Sequence, residues 1–394
     1  MQNSGRATSC RTRKYHWGVH VRLLMSLCLW LQVIPGYAQD LSLTDEEKQA
    51  KAEKAAEVKP RGKWLPIPIF ITEPAVGFGL GASLAYFHPT KAGTEPADES
   101  SSDDQKTPPN ITGIAGGYTE SDTWAAAIGH SHTWRNDTIR YAGGVAYADV
   151  KSQIYLLDKP FDYNLKAAGL FQQVKFRLGK SDFFLGGKLL WLGTKSAFDV
   201  PILEDTGIEF DDIESSNVGA ALTASYDKRD NVFTPNTGQF VELGVWRHDG
   251  AIGSDYDYWS ASFKALSFHR LHPRFVLGLR LETSGVDGRP PFYAIPWVGL
   301  RGIPALRYQG QKVGMIEAEG RWNILERWAL LGFVGAGAVE GDDPSLRTDQ
   351  DIYAGGAGVR YFLMRDMGLW LGIDVARGPE DWYTYITVGQ AWSK

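Results

Sequence analysis

From Trp64 onward, apolar and polar residues alternate with a period of two, which predicts strands with two unlike faces. Across 275–282, Phe275, Leu277, Leu279 and Leu281 share one face, and Val276, Gly278, Arg280 and Glu282 share the other. Across 369–375 the apolar face is Leu369, Leu371, Ile373 and Val375, with Asp374 opposite. Across 316–322 the charges Glu317, Glu319 and Arg321 fall together. A soluble sandwich also alternates, but its polar faces meet bulk water. A transmembrane barrel turns the apolar face to lipid and the polar face to a lumen.

Strand length and aromatic placement favour the barrel. The alternating segments run to about ten residues or more, the length that crosses a bilayer at a tilt. Trp124, Trp134, Trp191, Trp246, Trp259, Trp322, Trp328, Trp382 and Trp392 fall near strand ends, as interfacial girdles require. Many of the 44 glycines fall on the proposed lumen faces, where packed strands and a plug need room.

Counting from Val76 gives fifteen strands, which would leave the termini on opposite sides of the membrane. Short links at 272–273, 179–182 and 134–137 alternate with longer ones at 150–160, 199–216 and 247–255. Bacterial barrels keep short turns in the periplasm and long loops outside. The alternation closes only if 65–72 is a first, short strand, which Pro66 and Pro68 demote to an edge. The expectation is therefore an all-β, transmembrane antiparallel barrel of sixteen strands, with a poorly hydrogen-bonded seam between first and last. The acidic stretch 89–110 then becomes an awkwardly long inner turn.

Composition narrows the compartment. Residues 1–38 read as a secretory signal: a basic region with Arg6, Arg11, Arg13, Lys14 and Arg22, a short apolar core over 23–34, and small residues near Ala38. The apolar core is too short for a membrane-spanning helix. Residues 39–63 read as a short charged periplasmic segment, and 64–394 as the barrel. Cys10 and Cys28, the only cysteines, lie within the signal, so no disulfide is expected in the mature chain. Removing the signal leaves 36 basic against 46 acidic residues, a net charge of −10, which argues against a nucleic-acid partner.

Catalytic readings are weak. His130 and His132 share a strand face, but no third metal ligand is evident, and the pair reads as ordinary strand histidines. The glycine-rich run 77–81 opens a strand rather than a helix, unlike a nucleotide-binding loop. No Gly-x-Ser-x-Gly elbow occurs. The expectation is a protein that is not an enzyme and uses no cofactor or metal.

Three motifs carry a resemblance. Leu300-Arg301-Gly302-Ile303 stands in the long loop before the strand with Glu317-Ala-Glu319-Gly-Arg321. Upstream lies Tyr226-Asp227-Lys-Arg229-Asp-Asn231, followed by Pro235 and Gly238. In order and spacing these segments resemble the bacterial surface antigen family, the outer-membrane barrel shared by BamA- and TamA-type assembly factors and two-partner secretion transporters. The resemblance spans about 64–394. It implies that Arg301-Gly302 sits at the tip of a sixth extracellular loop folded into the lumen, and that 227–238 forms a periplasmic turn.

Physical reasoning supports the same picture. An unpaired arginine inside a barrel is costly and needs a carboxylate, which a guanidinium binds bidentately. Glu319, then Glu317, is the expected partner of Arg301. In the turn, Arg229 is expected to pair with Asp227 or Asp230, with Gly238 at a positive-φ position.

Two departures stand out. The family's Phe-x-Asp is here Phe333-Val334-Gly335, so one acid is missing and the plug is expected to be held less firmly; Asp374 is a candidate substitute. The chain ends two residues beyond Trp392, the expected aromatic insertion signal.

The resemblance implies a bacterial outer-membrane protein that aids insertion or transport of polypeptides, with outer-membrane lipid, the barrel assembly machinery and a polypeptide client as partners. It also implies client-binding POTRA domains, whereas only the 39–63 segment is expected before the barrel. The alternatives are a plugged pore or structural barrel with no assembly role, and a periplasmic β-sandwich enzyme.

Overall fold

The alternation becomes one antiparallel sheet in a computed structural model that describes residues 62–73, 75–89, 107–156, 159–198, 213–341, 350–364 and 368–392. The signal and most of the 39–63 segment lie outside the described residues. The sheet falls within the unit Pro60–Lys394.

The strands are β1 (Lys63–Ile71), β2 (Gly79–Phe87), β3 (Ile111–Thr119), β4 (Trp124–Trp134), β5 (Ile139–Leu156), β6 (Lys159–Arg177), β7 (Phe183–Phe198) and β8 (Ile213–Asp227). They continue as β9 (Gly238–His248), β10 (Asp257–His272), β11 (Phe275–Arg289), β12 (Lys312–Asn323), β13 (Trp328–Glu340), β14 (Gln350–Met364), β15 (Leu369–Arg377) and β16 (Trp382–Val388). Each pairs with its neighbours in sequence, so the sheet order is the chain order, β1 to β16.

Register assigns the faces. Ile316, Val334 and Ile373 are exposed on the same face as Leu80, Ile114, Ile128, Leu222 and Leu243 of the other strands. A continuous belt of large exposed apolar side chains is far beyond what a water-facing surface carries. It is the lipid-facing side of a barrel. The opposite face holds the acids and bases. Arg140 of β5 meets Asp227 of β8 at 2.7 Å, and Lys188 of β7 meets Glu242 of β9 at 2.7 Å.

β1 and β16 are the sheet's two edges. They approach one another, but among the described residues no hydrogen-bonded ladder joins them. β1 runs in continuous register with β2 through Pro66 and Pro68. Proline in an edge strand turns its donor-less side away from its neighbour.

Three expectations are corrected here. The link at 150–160 is a tight hairpin: β5 and β6 continue to Leu156 and from Lys159, which makes them 18 and 19 residues long. Trp246 belongs to the inner face, where it lines the lumen, because its register partner Ser260 does so too. Trp392 is 2% exposed and lies inside the barrel rather than at the lipid boundary. The other seven tryptophans named above are exposed on the outer face. Most of 89–110 lies outside the described residues, between β2 and β3.

Candidate functional site

The loop 290–311 between β11 and β12 folds inward and is built as a hairpin. The Val298 amide donates to the Tyr308 carbonyl at 3.0 Å, and Gly310 to Pro296 at 3.0 Å. Its apolar limb (Val298, Leu300, Ile303 and Tyr308) packs with Val313, Met315, Val339, Ile352 and Ala354. Gly335 and Gly337 of β13 make that packing possible. A Cβ at Gly335 would come within 2.9 Å of the Leu300 side chain, and one at Gly337 within 2.6 Å of Val298. The outer limb docks elsewhere, with Phe292 edge-on against Tyr163 of β6 at 5.2 Å.

Arg301 is the loop's polar anchor. Its Nε donates to Glu317 Oε1 at 2.9 Å, Nη2 to Glu319 Oε2 at 2.6 Å, and Nη1 to Asp374 Oδ2 at 3.0 Å. The guanidinium lies 3.6 Å from the Phe333 ring centroid, a stacked cation–π geometry. Burial opposes its charge, but Glu319, Glu317 and Asp374 more than offset this and hold Arg301 charged above its ordinary range. Next to it, Gly302 adopts φ +98 and lies against the backbone of Arg377 and Gly378, where a side chain would collide. Its amide donates to the Tyr385 hydroxyl at 2.9 Å.

The acid absent at Gly335 is therefore replaced from two strands away. Asp374 is fully buried and takes Arg360 as well as Arg301. Asp374, the candidate substitute, thus joins Glu317 and Glu319, and three carboxylates converge on one guanidinium. Arg360 and Gln390 were not part of the sequence reading, and Trp392 entered it only as a girdle aromatic and insertion signal, not as a partner of Glu317. Parity alone puts Arg360 inside, but strand order was needed to bring it to Asp374.

The second motif forms a closed turn, 228–237, at the other end of the barrel. Arg229 Nε pairs with Asp227 Oδ1 at 2.8 Å, and Arg140 Nη1 with Asp227 Oδ2 at 2.7 Å. Asp230 does not take Arg229; its Oδ1 accepts the amides of Asn236 and Thr237 at 2.9 and 3.2 Å. Asn231 Oδ1 accepts those of Phe233 and Thr234 at 2.7 and 3.1 Å. Gly238 sits at φ +99, and a Cβ there would lie 1.9 Å from the Lys228 carbonyl oxygen. The turn crosses the mouth: Asn236 accepts from Arg321 of β12, and the Phe233 carbonyl accepts the Gln390 amide at 2.7 Å.

After β16 the chain turns into the lumen. Trp392 Nε1 donates to Glu317 Oε2 at 2.9 Å, and Lys264 Nζ donates to the Trp392 carbonyl at 2.7 Å. Gly278 of β11 leaves space for the indole. Between loop and tail lies a cavity of about 970 Å³, lined among others by Glu242, Lys264, Arg280, Glu282 and Tyr385. His130 and His132 face outward, and Thr112 Oγ1 bridges His130 Nδ1 and His88 Nε2 at 2.8 and 2.7 Å.

No family model matches this sequence, and no curated protein matches it. Solved structures do. The chain is similar to BamA from Haemophilus ducreyi, in a form lacking POTRA domains 1–3, at 11% identity and a TM-score of 0.56, over 84% of this chain and 70% of that one. It is similar to CdiB from Acinetobacter baumannii at 12% identity and 0.55, over 84% and 60%. CdiB from Escherichia coli gives 12% identity and 0.58, over 83% and 62%. The chain thus covers about three fifths of each CdiB. At these identities the likeness is one of fold.

Proposed function

We propose that the chain is a non-catalytic outer-membrane barrel of the bacterial surface antigen superfamily, which aids insertion or passage of polypeptides at the outer membrane. The observation that carries this reading is the loop anchored inside the lumen. Arg301 meets Glu317, Glu319 and Asp374 in a sixteen-stranded barrel whose two edges share no hydrogen-bonded ladder among the described residues. A barrel built only as a passive wall gains nothing from an unzipped edge, whereas a barrel that admits a chain needs a place to part. The fold shared with BamA and CdiB supports the same reading. Residues 1–38 serve as its export signal and 39–63 as a periplasmic lead-in.

Two measurements test this. On fractionation the protein is expected with outer membranes and to migrate faster on gels when unheated; recovery in the periplasmic fraction would reject the membrane barrel. Depletion followed by outer-membrane proteomics is expected to lower at least one other barrel or surface protein. If none falls, the handling role is lost and a plugged pore remains, the reading that the cavity beneath the loop favours.

A further inference from the structure

Loop 290–311 touches more than its lumen anchor. Within eight residues it contacts both edges of the open sheet. The Ala305 amide donates to Glu73 Oε1 at 2.9 Å, and Glu73 belongs to the link that follows β1. On the other side, the Gly302 amide donates to Tyr385 of β16, and Gly302 lies on Gly378 in the β15–β16 hairpin. Arg307 Nε and Tyr308 Oη both meet Glu380 Oε1 of that hairpin, at 2.5 and 3.1 Å.

The lower end of β16 is tied to the same anchor. Glu317 accepts Arg301 on Oε1 and Trp392 on Oε2. Glu319 accepts Arg301 on Oε2 and Gln390 on Oε1, the latter at 2.9 Å. Each carboxylate thus has one oxygen on the loop and one on the tail. The free edge of β1 is also short of donors. Residues i and i+2 of a strand present their amides to the same side, so Pro66 and Pro68 delete two donors from one edge of β1.

We propose that loop 290–311 is the clasp of the seam. It holds the β1 and β16 edges together in place of a ladder, so that release of the loop and parting of the seam are one event. The claim concerns the barrel's own opening and requires no client, so it stands or falls separately from the depletion experiment.

The test uses the full chain, with Cys10 and Cys28 replaced by serine, in phosphatidylethanolamine–phosphatidylglycerol vesicles. Spin labels at Phe70→Cys and Thr384→Cys report the seam, since both side chains lie on the outer face near the loop end. The clasp variant is Glu73→Ala/Glu380→Ala/Tyr385→Phe, which leaves Arg301 and its acids intact. Its label–label distance is expected to lengthen by about one strand spacing, ~5 Å, or to gain a second population there. Asp257→Ala, which removes the Arg247–Asp257 ion pair at the same end, is expected to change nothing. Unheated gel migration reports whether each variant is folded. A folded triple variant with the unsubstituted distance distribution would overturn the proposal. If the triple variant does not fold, Tyr385→Phe and Trp392→Phe replace it. Tyr385→Phe removes one acceptor at nearly constant volume and Trp392→Phe removes one donor while keeping an aromatic ring, and unaltered distributions in both would equally reject the clasp.

Discussion

Gly335 shows how far a single residue can be read. The sequence shows that an acid is missing from Phe333-Val334-Gly335, and that Asp374 shares the inner face. It does not show why the acid is missing. The reason is steric: Leu300 of the loop occupies the volume above Gly335, and Phe333 supplies a ring beneath the guanidinium instead. Only strand order and loop position together reveal this. Restoring the acid should therefore harm the site. A Cβ in Gly335→Asp would lie 2.9 Å from Leu300 and 3.0 Å from the Ile316 carbonyl oxygen. The variant is expected to lose about 1–3 kcal/mol of stability, as overpacked sites do. Urea titration followed by the heated-to-unheated band ratio measures it. A midpoint equal to that of the unsubstituted protein would contradict the steric account.

At the scale of elements, period-two patterning and link parity are enough to count the strands and to require β1, because each inner or outer residue is fixed by its register. The turn 228–237 was less legible. Its Asp-Lys-Arg-Asp-Asn run suggested local pairing, and Arg229–Asp227 is indeed local. Its reach across the mouth to Arg321 and Gln390 has no local signature. Gly238 is the position that fixes its shape. Gly238→Ala combines a positive φ with a 1.9 Å approach to the Lys228 carbonyl. Backbone strain of this kind costs about 1–3 kcal/mol before any clash is counted. Limited trypsin digestion of the purified barrel is expected to cut after Lys228 or Arg229 several-fold faster in this variant. An unchanged cleavage rate would show that the turn tolerates the side chain.

The unit Pro60–Lys394 is a barrel whose interior is occupied by its own loop and tail. Sequence parity predicted the inward charges, and the family resemblance implied the loop. The tail was misread because an aromatic near a C-terminus resembles a girdle residue until Gly278 and Glu317 are seen to receive it. Arg301→Ala leaves Glu317, Glu319 and Asp374 short of a counter-charge at a cost of about 3–5 kcal/mol. The loop is then expected to leave the lumen part of the time. Planar-bilayer recordings should show higher or flickering conductance than the unsubstituted protein, and identical traces would count against the plug. The buried position of Trp392 also bears on handling the protein in the laboratory. A tag fused directly to Trp392 would start beside an indole held by Glu317 inside the barrel, and would have to thread out of a crowded interior to reach a resin or antibody. The short turn Gly250–Ile252, exposed at the tip of the β9–β10 hairpin, is the place to put one.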